Sequence, residues 1–393
     1  MNQAEPNLGS IQRTAWIVGA VGLIGCVLGI LIDPTQFFRS YLYGYLFGVS
    51  LTLGCSSLLM LHHLVGGSWG FGIQRLLEAG VRLFPLMAIL FVPLVFGLKA
   101  LYPWARPELL ADDTLLQHKQ AYLNAPFFLI RAGLYFGVWT GVGYALNRWS
   151  PRQDATSGDR LTSRIKRLSG FGLVAYGGTV TFATIDWGMS LEPHWFSTMY
   201  GVIFIIGNAL TTMALMIVML GLVSRQKPLS NLVSAQHFHD LGNLLLAFVM
   251  LWAYIAFSQY LIIWSGNLAE EATWYAPRMA GGWKPVAMML IGFHFIVPFL
   301  LLLSRNTKRR TQAITAVALF VLAMRLVDLF WLVAPAFHKE GFHLHWLDIA
   351  APLGVGGLWL GVFIWQLQKR PLLPMGDPRL VEILSQREDA HHA

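Results

Sequence analysis

Apolar residues in this chain fall in ten long runs separated by short polar breaks, at 14–32, 41–65, 79–101, 125–146, 168–186, 196–223, 241–264, 286–303, 311–334 and 347–367. Each run approaches or exceeds the roughly 20 residues that a helix needs to cross a hydrocarbon core. Interior glycine and proline within sustained runs predict helices, because an open sheet would leave backbone groups unpaired in lipid. The expected fold class is all-α: a polytopic membrane protein of about ten transmembrane helices, divided into two four-helix bundles and two peripheral helices. Residues 1–368 make one transmembrane domain in this reading, and 369–393 a short polar cytoplasmic tail. No soluble domain or low-complexity tract interrupts the runs. The first run follows a polar stretch, is too long for a signal h-region and has no A-x-A site behind it, so it is expected to be retained.

Composition supports the class, with 55% hydrophobic and 12% charged residues against the roughly 25% charged content of soluble domains. Charge placement gives orientation. The amino end, the loops 66–78, 147–167, 224–240 and 304–310, and the carboxyl tail hold 18 of the 28 Lys and Arg residues. The alternate loops hold 6, and Arg82, Lys99, Arg131 and Arg325 lie inside apolar runs. Cationic loops resist translocation, so both termini are expected in the cytoplasm and the hinge 186–195 on the outer side. The net charge of +8 is then a topology signal, and no soluble basic surface for nucleic acid is expected.

Cys26 and Cys55 both lie inside apolar runs. With no CxxC and no CxxCH, no iron–sulfur cluster, zinc site or covalent haem is expected. A b-type haem needs two histidines at matching depth. Only His294 lies near mid-membrane, while His62 and His63 stand at a helix end. Gly66–Gly72 is glycine-rich but has no phosphate-loop lysine, which predicts a flexible turn.

Ionisable residues inside the runs are the candidate chemistry, since a mid-bilayer charge costs about 2.5–3.5 kcal/mol even on lenient scales. Arg325 and Asp328 are three residues apart and face one side of a helix. Two readings stay open: a self-neutralising pair that locks packing, or a proton-relay carboxylate tuned by the arginine. In the seventh run Asp240, Asn243, Tyr254 and Ser258 fall within about 60° on a helical projection, giving a polar stripe. Asp240 follows His237 and His239, and is read either as a proton entry or as a cap on the helix amino end. The stripe is interrupted for about 16 Å between Asn243 and Tyr254. His294, Asn208, Thr211 and Thr212 are the candidates to bridge it, with His294 equally readable as a packing residue.

The third candidate is the hinge from Thr184 to Gly201. Asp186 and His194 would offer a carboxylate and an imidazole at the lipid–water boundary, suited to accept protons from a quinol headgroup or to discharge them outward. Trp187 and Trp195 suit the headgroup belt. The next outer loop adds Asn267, Glu270, Glu271, Trp274, Tyr275 and Arg278.

Asp186–Thr198, His239–Leu245, Phe248–Trp264 and Asn267–Glu271 resemble the signature of the ActF family, the F subunits of bacterial alternative complex III, and the likeness extends over nearly the whole chain. The resemblance implies a quinol:cytochrome c oxidoreductase complex in the bacterial cytoplasmic (inner) membrane, and an NrfD-like fold. The implied partners are a multi-haem cytochrome, an iron–sulfur subunit and a sister C-type membrane subunit, besides membrane lipid. The implied role is contact with a quinone, menaquinone or ubiquinone, or a proton path, or both, with no redox metal in this chain and no catalysis alone. Carried over by position, Asp186 and His194 would line the outer opening and His239 and Asp240 the inner one. Read from the residues themselves, the proton path would also take in Tyr254, Ser258, His294, Arg325 and Asp328, and Asp186, Trp187, His194 and Trp195 are the candidates to touch a quinone. Asn243 stands where many relatives carry a lysine. A stand-alone proton-coupled transporter and a purely structural anchor for haem and iron–sulfur subunits are the alternatives.

Overall fold

The computed structural model describes residues 8–156, 159–224, 229 and 233–373. The expected polar tail lies largely outside the described residues, from 374 onward. Ten described helices have the length and apolarity to cross a membrane. They are α1 (Leu8–Ile32), α2 (Pro34–Val65), α3 (Gln74–Phe96), α4 (Ala125–Thr156), α5 (Asp159–Trp187), α6 (Met199–Val223), α7 (Ala235–Gly266), α8 (Trp283–Leu303), α9 (Thr311–Val333) and α10 (Leu347–Leu367). Each overlaps one of the ten apolar runs, and no strand occurs among the described residues. The chain is an all-α, multi-pass membrane protein.

The helices group as α2–α5 and α6–α9, joined where α6 packs on α2 as closely as on α7, with α1 and α10 paired at the side of α2. Lipid tails are as apolar as leucine, so these seams form by close packing of small residues. A Cβ on Gly22 would lie 2.3 Å from the Gly354 nitrogen, and one on Gly19 would lie 2.7 Å from that of Leu358. The α1 and α10 backbones therefore touch. The two bundles meet where Gly54 of α2 rests on Asn208 and Thr212 of α6, and the Thr212 hydroxyl donates to the Leu51 carbonyl at 3.1 Å.

Two helices are irregular, each beside a proline. The α3 helix breaks at Arg82 and Leu83 just before Pro85. In α8 the segment Leu290–Ile296 winds as a π-helix ahead of Pro298. Pro298 has no N–H for the carbonyl four residues earlier, that of His294, so the regular ladder cannot continue through this turn. The Gly66–Gly72 loop departs from the flexible turn expected of it. Gly70, Phe71 and Gly72 are buried, and a Cβ on Gly70 would fall 1.9 Å from His62 Nδ1. Gly70 serves close packing against an imidazole, while Gly66 and Gly67 turn the chain at positive φ.

Candidate functional site

At the end of the bundle where α5 gives way to α6, the hinge is a hub of ion pairs. Asp186 is the penultimate residue of α5 and is buried. Arg131 of α4 donates to both its oxygens, from Nε and Nη2, at 2.8 Å each. The Tyr135 hydroxyl donates to Oδ2 at 2.8 Å. The Tyr122 ring covers the guanidinium, with its centroid 3.8 Å from Cζ. Burial, and then the Asp186 charge, push the Tyr122 hydroxyl up to about 12.

Glu192 repeats the arrangement toward the second bundle. Arg278 is fully buried and donates to Glu192 Oε2 at 2.8 Å, and to the Trp274 and Leu332 carbonyls at 2.7 and 3.0 Å. Its Cζ lies 3.7 Å from the Trp274 ring centroid, and Trp274 stacks on Trp195 at 4.8 Å. His194 is exposed and pairs with Asp113 at 2.7 Å. Asp113 caps the short helix Thr114–Lys119, and its carboxyl is held below the usual range chiefly by the Leu116 N–H, with His194 adding to the effect.

Asp186 and His194 thus have different partners and do not form one site. Trp187 and Trp195 are 2% and 3% exposed, which corrects their reading as headgroup anchors. Trp187 packs among Tyr45, Phe91 and Trp139 in the first bundle, whereas Trp195 packs against Tyr200 and Trp274 in the second. Asp186 has both oxygens engaged by protein donors. These four side chains therefore lie in separate clusters and do not converge on one point.

In the second bundle, Arg325 Nη1 donates to Asp328 Oδ2, and Trp252 Nε1 reaches the same oxygen at 3.0 Å. The Trp252 ring stands edge-on to His294 with centroids 4.3 Å apart. Gly207 leaves room for the arginine, since a Cβ there would fall 2.2 Å from Nη2. All four side chains are buried. Both ring nitrogens of His294, Nε and Nη2 of Arg325, and Oδ1 of Asn208 have no hydrogen-bond partner among the described residues. Buried groups of this kind usually bond to ordered water.

At the opposite end, α7 is capped by Ser234 with His237 in a reciprocal capping box. Asp240 lies beyond the first turn and so does not cap the helix, which corrects that reading. Its Oδ1 accepts from Gln236 at 2.8 Å and lies 3.6 Å from His239 Nδ1. Asn243 Oδ1 accepts from Lys308 Nζ at 2.6 Å, from the short helix Arg305–Arg309 that precedes α9. Tyr254 is 65% exposed and Ser258 half-buried, while Trp252 and Gln259 face inward. The single stripe along α7 does not line the interior.

One cluster escaped the sequence reading. Glu78 is buried and accepts from Arg75 Nη1 at 2.8 Å, Ser150 at 2.7 Å and Gln74 at 3.2 Å. Arg370, past the end of α10, reaches it at 3.5 Å, and Arg75 also pairs with Asp154. The available signal was Glu78 itself, an acid one residue from an apolar run and three from Arg75. Among the described residues, no group of three or more His, Cys, Asp or Glu side chains is placed to hold a metal ion. No family model and no curated protein matches the chain.

Proposed function

We propose that this chain is an integral-membrane subunit of a quinol:electron-acceptor oxidoreductase complex of the alternative complex III type, and that its own work is to carry protons. The observation that carries the reading is the buried Arg325–Asp328–Trp252 group beside His294, deep in the second bundle. Burying these groups in lipid is costly, and intramembrane charges of this kind are concentrated on ion and proton pathways. Entry is assigned to the end bearing Asp240, His239, Asn243 and Lys308, on the cytoplasmic side by the Lys and Arg bias. Exit is assigned to the hinge end, near Asp186 and His194. Quinol oxidation in a neighbouring subunit would have to change a proton affinity or a water contact here for the two processes to couple.

The test is proton translocation by the reconstituted complex. Asp328→Asn should lower the proton-to-electron ratio while electron transfer continues. An unchanged ratio in Asp328→Asn, Asp240→Asn and His294→Ala would leave a structural anchor as the function. The irregular turn in α8 beside the buried centre favours a second reading, a stand-alone proton-coupled transporter. Inverted-repeat transporters place their interruptions at corresponding positions of the two halves, whereas here they fall in the second helix of one bundle and the third of the other. Purification in mild detergent separates the readings: haem and iron–sulfur subunits should accompany the chain if it belongs to the complex.

A further inference from the structure

The buried charges of the two bundles belong to different helices. Asp186 and its partners Arg131 and Tyr135 lie on α4 and α5, and Arg325 and Asp328 lie on α9. A path from the buried pair to an exit near Asp186 must cross the seam between the bundles. The helix on that seam is α6, which touches α2, α5 and α9.

On α6, two consecutive residues face the two sides. Gly207 has no side chain, and the Arg325 guanidinium occupies the space a Cβ would fill. Asn208 turns toward the first bundle, where its Nδ2 donates to the Tyr176 hydroxyl at 3.4 Å. Asn208 is 2% exposed, yet its Oδ1 has no partner among the described residues, and neither do Nε and Nη2 of Arg325. Each side of α6 therefore offers a buried polar atom of complementary kind, an amide acceptor and guanidinium donors. A water bound to such groups recovers the hydrogen bonds that burial would otherwise forfeit.

Beyond Tyr176, polar groups recur at intervals toward the hinge, interrupted at Ala183. Tyr176, Thr179, Ala183 and Asp186 follow the three- and four-residue steps of one helix face. Trp139 Nε1 donates to Thr179 Oγ1 at 2.8 Å, Tyr135 stacks on Trp139 at 5.9 Å, and the Tyr135 hydroxyl bonds Asp186.

We propose that Asn208 and Arg325 hold water at the seam beside Gly207, and that this water, with the Tyr176 hydroxyl, is the crossing between the bundles. The inference rests on the proton-carrying reading above. In this step the water accepts a proton on the Arg325 side and gives one of its own to the Tyr176 oxygen as the O–H bond of Tyr176 breaks and that proton leaves toward the hinge. Reorientation of the water and the hydroxyl then restores the starting state.

The experiment uses the intact reconstituted complex with Tyr176→Phe and Asn208→Leu, and Asp328→Asn as reference. Two quantities are read: the proton-to-electron ratio, and infrared water bands that shift in H2(18)O. Tyr176→Phe should lower the ratio while keeping electron transfer, and Asn208→Leu should also remove an isotope-sensitive water band. Tyr176→Phe keeps the ring, so it tests the crossing even if Asn208→Leu fails to assemble. If Asp328→Asn lowers the ratio but Tyr176→Phe leaves it unchanged, the crossing is wrong and the proton path stands. If all the variants keep the wild-type ratio, the proton-carrying function fails with it. Retention of every water band in an assembled Asn208→Leu complex overturns the water site by itself.

Discussion

Asp186 and Glu192 stand six residues apart in the hinge, and each closes an ion pair with an arginine of a different bundle. Arg131 of α4 holds the first with two bonds of 2.8 Å. Arg278, from the segment before α8, holds the second while bonding the Leu332 carbonyl of α9. The hinge is thereby fastened to both halves of the molecule at once.

Breaking one such pair leaves a buried charge without compensation, which typically costs about 3–5 kcal/mol. Asp186→Asn and Glu192→Gln should each lower the midpoint of thermal unfolding in detergent. The double variant Arg131→Met with Asp186→Leu should be less damaging than Asp186→Leu alone, because no charge is stranded. Equal damage from both would show that Arg131 does not depend on Asp186.

The α1–α10 seam gives a sharper steric test. Gly22→Val must push the α1 and α10 backbones away from each other, since even a Cβ at this position meets Gly354 at 2.3 Å. Gly133→Val on α4 introduces the same side chain where nothing lies within 4 Å. Overpacking of this kind typically costs about 1–3 kcal/mol, so Gly22→Val should be markedly less heat-stable and Gly133→Val close to wild type. Equal unfolding midpoints for these variants would refute the contact.

Asp113 sets a pH limit on the loop between α3 and α4. Its carboxyl lies below the usual range because the folded state supplies the Leu116 N–H and the His194 partner to the charged form. A depressed folded value means that the contribution is complete above the unfolded value near 3.9. It is lost as pH falls through the folded value. Proteolysis of the 106–119 loop should therefore stay slow at neutral pH and accelerate only in acid. Asp113→Asn should show the faster cleavage already at pH 7.

The ten helices were legible because about twenty consecutive apolar residues are a signal written along one dimension. Arg325 and Asp328 were legible for a similar reason, being one helical step apart. Arg131 with Asp186, separated by 55 residues, and Arg278 with Glu192, by 86, depend on which helices become neighbours, and no local pattern records that. Tyr254 was misplaced for a different reason. Periodicity fixes angles between residues on α7, but lipid and bundle interior are equally apolar, so hydrophobicity does not tell which face turns inward. Trp187 and Trp195 followed the interfacial habit of tryptophan only in sequence position. Folding carries both into aromatic clusters.

Lys308 offers a functional test of the entry end. Its stem lies on Gly242, where a Cβ would come within 2.7 Å of Cγ, and its ammonium bonds Asn243. Burial, and then the neighbouring Arg305, hold this lysine below the usual ammonium range. A cation needed for proton uptake at Asp240 would therefore be lost as pH rises through a value below the usual value of about 10.4. Proton uptake by the reconstituted complex should fall on the alkaline side in the wild type. Lys308→Arg, which stays charged, should move that fall to higher pH. Lys308→Met keeps the stem length but has no charge to lose, so uptake should be low at neutral pH and lack this alkaline limb. Identical pH profiles in all three proteins would remove Lys308 from the entry.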